Sequence, residues 1–262
     1  MGSVPYLNTC VLVHGLRGRE GIELEFHPPS LLAKRLAAGQ LDVALASSIE
    51  YLRHPEYTAI PGLSISGLHE MWSIRFFHRV PLTQLRSVVL DPASETTNSL
   101  LKILLSRHAG VHPEYMLPDH GKPVEERVGK ADGFLLIGDP ALIYRSEDWS
   151  VWNLQTAWHT MTDLPFVYAL WIARPGVDIR QLGVTLRECR DAGLKHAEDI
   201  AAHEAPSLGL TSERVYEYIT RIVRYDLTEK EVSGLQRFQE FLNQDGIDTV
   251  RSDDLACIIH RQ

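Results

Sequence analysis

An α/β chain of two lobes around a central cleft is what this 262-residue sequence predicts, on three observations. Short apolar runs alternate with helix-like segments in β-α-β order, which argues for parallel strands joined by right-handed crossovers. A second unit of the same kind restarts near residue 86. From about Asp178 onward the pattern becomes helix after helix. The first lobe is expected to hold residues 1–85 with 176–262, and the second residues 86–175. Strands crossing between them leave the cleft in the middle and allow closure about a hinge.

The elements follow in order. Val4 ends a short apolar strand, and Pro5-Tyr6-Leu7-Asn8-Thr9 leaves it. Ligands of open α/β sheets bind beyond the carboxyl ends of strands, so Asn8 and Thr9 stand where an oxygen-rich molecule can be met. An Asx-turn leaving an edge strand is the competing reading. Ile22 to Phe26 alternates as a strand, and Pro28-Pro29-Ser30 opens a helix that Gly39 stops. Leu41 to Ala46 is the next strand, with Ser47 and Ser48 at its far end. Ser64-Ile65-Ser66-Gly67 and Ser73 are expected to face the cleft from the same lobe.

Ser87 to Leu90 opens the second unit and leads to Ser94-Glu95-Thr96-Thr97-Asn98, followed by a helix through Leu100 to Leu105. Hydroxyls beside the unsatisfied N–H groups of a helix start suit a carboxylate or phosphate. Ordinary capping by one Ser or Thr is the alternative. Phe134 to Ile137 is a buried strand ended by Gly138-Asp139-Pro140, where a glycine permits close backbone approach and a plain turn competes. Phe166 to Ala173 is a third strand of this unit. The last long helix opens on the capping box Thr228-Glu229-Lys230-Glu231, and its Val232, Leu235, Phe238, Phe241, Leu242 stripe reads as core.

Composition excludes several functions. A formal net charge of −8 argues against a nucleic-acid partner. No apolar run approaches the roughly 18 residues of a membrane span, and no signal-peptide pattern opens the chain, so a cytoplasmic protein is expected. Cys10, Cys189 and Cys257 show no CxxC spacing, and the 12 histidines form no HExxH, so neither a disulfide framework nor a metal site is expected. No Walker A loop, dinucleotide fingerprint or G-x-S-x-G elbow is present, and no cofactor is expected.

Several motifs together resemble one family. They are Val4-Pro5-Tyr6-Leu7-Asn8-Thr9, Asp42-Val43-Ala44-Leu45 with Ser47-Ser48-Ile49-Glu50-Tyr51, and Leu90-Asp91 with Ser94-x-Thr96-Thr97. Leu135-Leu136-Ile137-Gly138-Asp139-Pro140 and Leu164-Pro165-Phe166-Val167-Tyr168-Ala169-Leu170-Trp171 complete the set. Their order and spacing over residues 4–175 are similar to chorismate dehydratase, the first enzyme of the futalosine route to menaquinone.

The resemblance implies a type 2 periplasmic-binding-protein-like fold and a cofactor-free lyase that turns chorismate into 3-[(1-carboxyvinyl)oxy]benzoate; a monomer or homodimer is expected. It maps the family's essential Asn onto Asn8 and a further site serine onto Ser66 or Ser73. The segment Ser64-Ile65-Ser66-Gly67-Leu68-His69-Glu70-Met71-Trp72-Ser73-Ile74 is longer than the family's and lacks its Pro. Thr9, Ser47, Ser48, Ser66, Ser94, Thr96, Thr97, Gly138 and Asp139 are the expected substrate contacts, with Asn8 and Ser73 the expected catalytic pair. Elimination creates an aromatic ring, so orientation matters more than a strong protein base, and the substrate's enolpyruvyl carboxylate can take the proton. The sister enzyme 1,4-dihydroxy-6-naphthoate synthase has a proton-transferring His where this chain has Gly138; a solute-binding protein is the other alternative.

Overall fold

The computed structural model describes residues 1–118, 123–247, 249, 251 and 255–260. The first lobe starts with β1 (Gly2–Ser3), β2 (Glu25–Phe26), α1 (Pro29–Ala37) and β3 (Val43–Ser47). Pro29 stands in the first turn of α1, where a missing N–H costs nothing. α2 (Ser48–Arg53) begins directly at the end of β3, and β4 (Thr58–Gly67) follows.

The chain then crosses to β5 (Ile74–His78), β6 (Ser87–Val89), α3 (Glu95–Arg107), β7 (Glu114–Met116), α4 (Val124–Val128), β8 (Gly133–Ile137), α5 (Gly138–Ile143) and β9 (Ser150–Trp152). α6 (Leu154–Thr162) leads back to β10 (Phe166–Ala173). The tail is α7 (Arg180–Lys195), α8 (Ala197–Leu208), α9 (Ser212–Glu217) with a π turn over Tyr218–Ile222, β11 (Arg224–Asp226), α10 (Glu229–Gln244) and α11 (Cys257–His260).

Two sheets result, one ordered β11-β4-β10-β3-β1-β2 and the other β7-β6-β8-β5-β9. Sheet membership differs from the expected boundaries at two strands. β5, within residues 1–85, pairs with β8 and β9 in the second sheet, and β10, within 86–175, lies between β3 and β4 in the first. Because β10 is a returning strand, it runs antiparallel to both neighbours, and each sheet is mixed, not parallel throughout. β2 is shorter than the run Ile22 to Phe26, since β1 offers only Gly2 and Ser3 as partners. Gly138-Asp139-Pro140 starts a helix instead of making a plain turn. The helical tail is interrupted by β11, an edge strand against β4.

The core between the helical tail and the first sheet is aromatic. Phe238 of α10 meets Phe166 of β10 at 4.9 Å between ring centroids, and Trp158 of α6 meets Phe166 edge-on at 5.0 Å. Val232, Leu235, Phe238 and Leu242 are buried, each contributing roughly 1.5–3 kcal/mol by leaving water. The capping box forms as the sequence predicts, and the buried Glu231 carboxylate also pairs with Arg224 at 3.0 Å.

Gln155 ties the outgoing and returning connections together. Its amide donates to the Leu68 carbonyl at 3.0 Å, and its oxygen accepts from the Tyr168 hydroxyl at 2.7 Å. Thr156 adds a bond to the His69 carbonyl at 2.6 Å. No helix among the described residues is long and apolar enough to cross a membrane.

Candidate active site

Strand register builds the floor of the cleft. Ala169 of β10 stands opposite Ser47 of β3 on one side and Ile65 of β4 on the other, which puts the three in one row. From the second lobe, Ile74 of β5 and Ile137 of β8 form a facing pair. Between these rows lies a cavity of about 470 Å³ out to its mouth, walled further by Val4, Tyr6, Asn8, Pro29, Leu45, Ser73, Ser94, Thr97, Gly138 and Tyr168. Its free interior is about 50 Å³, well below the roughly 150 Å³ of an engineered cavity that admits benzene. In this conformation the cavity is too small for an aromatic-sized ligand, which requires its walls to part.

The polar wall is assembled from three chain ends. Asn8 sits in the 3₁₀ turn Leu7–Thr9 that follows β1. Its Oδ1 is buried and has no hydrogen-bond partner among the described residues. A buried acceptor left unpaired costs about 1–3 kcal/mol, so a donor on a ligand is favoured there. At α3, Ser94 accepts the Thr97 N–H at 3.2 Å, and the two hydroxyls are 3.0 Å apart. Asp91 holds this loop against β8, accepting from the Ala93 N–H at 2.9 Å and the Ile137 N–H at 3.0 Å. At α5, Gly138 has φ +65°, and a Cβ there would lie 2.8 Å from the Tyr6 ring. Only glycine accommodates both the left-handed backbone and that contact.

Among the described residues, no Asp, Glu, His, Lys or Arg lines this cavity. Its ionisable groups are two phenols. Burial, reinforced by Asp91 and Asp139, pushes the Tyr6 pKa up to about 12. Burial raises Tyr168 well above its ordinary value, and its hydroxyl already donates to Gln155. Neither phenol is a base near neutrality. Ser73 lies beside the Tyr218 phenol, whose pKa burial also raises.

Of the expected site residues, Asn8, Ser47, Ser73, Ser94, Thr97 and Gly138 reach the cavity wall. The others turn away, each for a visible reason. Thr9 spends its hydroxyl on the Val4 and Tyr6 carbonyls at 2.9 and 2.8 Å. Ser48, fully buried, donates to the Val167 carbonyl at 2.8 Å. Thr96 accepts the Ile49 N–H at 3.0 Å and so joins the two lobes. Ser66 points to the opposite face of β4 and bonds the Arg224 carbonyl at 3.3 Å. Asp139 lies beside a separate groove and accepts the Leu7 N–H at 2.9 Å. Of the pair Ser66 and Ser73, Ser73 is the one on the cavity.

Sequence reasoning did not single out Tyr6, Tyr168 or the apolar wall. Strand alternation is the signal that finds the wall: Leu45 and Ser47 lie two apart on one face of β3, and Ile65, not its serine neighbours, faces the cavity.

Most of the chain also matches known proteins. A family model described as menaquinone biosynthesis covers residues 1–244. A chorismate dehydratase of Thermus thermophilus is 33% identical over 261 residues, 92% of this chain and 94% of that protein. One from Campylobacter jejuni is 26% identical over 235 residues, 89% of this chain and 88% of that protein. Among solved structures, protein AF1704 from Archaeoglobus fulgidus superposes with TM-score 0.75 at 16% identity, covering 94% of this chain and 97% of that one. The aliphatic sulphonate binding protein SsuA from Escherichia coli gives 0.60 at 16% identity, over 94% and 86%. The fold is that of periplasmic binding proteins, and by sequence the chain belongs to the menaquinone biosynthesis family.

Proposed function

We propose that this protein is a chorismate dehydratase, a lyase that removes water from chorismate to give 3-[(1-carboxyvinyl)oxy]benzoate. The observation that carries the reading is a small cavity between the lobes with an unpaired buried Asn8 amide oxygen and, among the described residues that line it, no side chain able to act as a base near neutrality. A reaction that makes an aromatic ring suits such a site, because positioning replaces strong acid–base groups. The substrate's enolpyruvyl carboxylate takes the ring proton and passes it to the ring hydroxyl as its C–O bond breaks, so that water leaves and the carboxylate is regenerated. Asn8 holds the reacting groups, while Thr97 and the start of α3 receive the ring carboxylate. The apolar rows Leu45, Ile65, Ile74 and Ile137 enclose the ring and keep solvent out. The relatives' names and the family match support the same assignment.

The test is incubation of the purified protein with chorismate, followed by mass spectrometry. Stoichiometric appearance of the benzoate ether is expected. Cyclic dehypoxanthine futalosine, offered in parallel, should be left unchanged, because Gly138 supplies no proton-transfer group. Formation of 1,4-dihydroxy-6-naphthoate, or no change in chorismate, overturns the proposal.

A further inference from the structure

The turn that carries Asn8 is completed by the opposite lobe. Leu7 opens this 3₁₀ turn, and Tyr6 before it supplies no side-chain cap. The first N–H of such a turn is an orphan donor. Here it donates to Asp139 Oδ1 at 2.9 Å, and Asp139 sits in the first turn of α5 in the second lobe. Next to it the Tyr6 ring lies against Gly138, where a Cβ would come within 2.8 Å. Residues 6 and 7 therefore interlock with residues 138 and 139 across the cleft, on either side of the peptide leading to Asn8. Asp139 is not among the residues that line the cavity and borders a separate groove instead.

We infer that Asp139 is a positioning residue, capping the Asn8 turn across the cleft so that Asn8 becomes fixed only when the lobes close. This rests on the reading of the cavity as the dehydratase site. Separation of the lobes breaks the cap, frees the Leu7 N–H and loosens the turn while substrate enters. Closure restores the cap, so Asn8 is ordered in the state that performs the reaction.

The experiment compares Asp139→Ala, Asp139→Asn and Leu7→Pro with the wild type in chorismate turnover and in amide hydrogen exchange. Asparagine keeps an acceptor oxygen, and alanine removes it. Proline deletes the donor at a helix-start position, after a Tyr6 whose extended backbone (φ −113°, ψ 152°) suits a following proline, and also removes the buried Leu7 side chain, so its fold is checked first. The expected result is a kcat about tenfold lower for Asp139→Ala with KM changed little, which corresponds to ~1.4 kcal/mol. Asp139→Asn should stay within about threefold of wild type, and the Leu7 amide should exchange slowly in wild type and Asn but fast in Ala. If Asp139→Ala does not fold, Leu7→Pro must show the same fall in kcat. An unchanged kcat in Asp139→Ala, or an equal loss in Asn and Ala, overturns the inference. A wild type inactive on chorismate counts against the dehydratase reading, and the Leu7 exchange pattern then decides the cap by itself.

Discussion

The two lobes meet the cavity with turns of different self-sufficiency. The second lobe presents the start of α3, a 13-residue helix whose Ser94 caps the Thr97 N–H from within its own loop. Asp91 and Asn98 brace that loop further, with Asn98 accepting the Asp91 N–H at 3.0 Å and donating to its carbonyl at 2.7 Å. The first lobe presents a three-residue turn whose leading N–H finds its acceptor on the other lobe. One wall is thus complete before closure and the other is completed by it. A preformed wall suits binding, and a wall finished on closure suits the chemical step.

That contrast is sharpest at Asn8. Asn8→Ala should reduce turnover by at least ~100-fold, the scale of losing one preorganised group at a reacting centre, while KM changes less. Steady-state kinetics on the folded variant check this, and near-normal turnover would dissolve the distinction between the walls. Thr97→Val, on the preformed side, should act mainly on binding. A KM roughly tenfold higher with kcat nearly kept is expected for loss of one hydrogen bond to a charged group. A fall in kcat with unchanged KM would place Thr97 in the chemical step instead.

The smallest effect concerns stability. Burial, partly countered by the Leu7 N–H and reinforced by Glu204, raises the Asp139 pKa from 3.8 to about 6. Between those values the native state holds a proton that the unfolded chain has released. Stability contributed at this group is therefore fully present at low pH and declines as pH rises through the window from about 4 to about 6. Asp139→Asn should flatten that slope. Urea midpoints measured at several pH values give the comparison, and an identical slope in both proteins would show that Asp139 is not the group responsible.

Much of the architecture was legible from local pattern. Periodicity and turn chemistry identified α1, α3, β8, β10 and the capping box of α10, because those signals are carried by residues close in sequence. Lobe membership was less accessible. β5 and β10 read as ordinary apolar strands, and nothing local tells which sheet a strand will join. The site showed the same division. Asn8, Ser73, Ser94, Thr97, Ser47 and Gly138 reach the cavity, while Thr9, Ser48, Ser66, Thr96 and Asp139, several of them direct sequence neighbours of the former, do not. Adjacent strand residues face opposite sides of a sheet, and a hydroxyl with a nearby carbonyl is consumed by it.

Local sequence set the chemical repertoire: amide, hydroxyl and glycine at strand and helix ends, with no metal motif and no His, Lys or Glu among the expected site residues. Those properties reside in residue types and short spacings, which folding does not alter. Tertiary structure alone decided which hydroxyls face the void, that Ala169 aligns Ser47 with Ile65, and that Asp139 caps Leu7 from 132 residues away. Such contacts depend on strand register and on how two lobes meet, and both are set by packing summed over the whole chain.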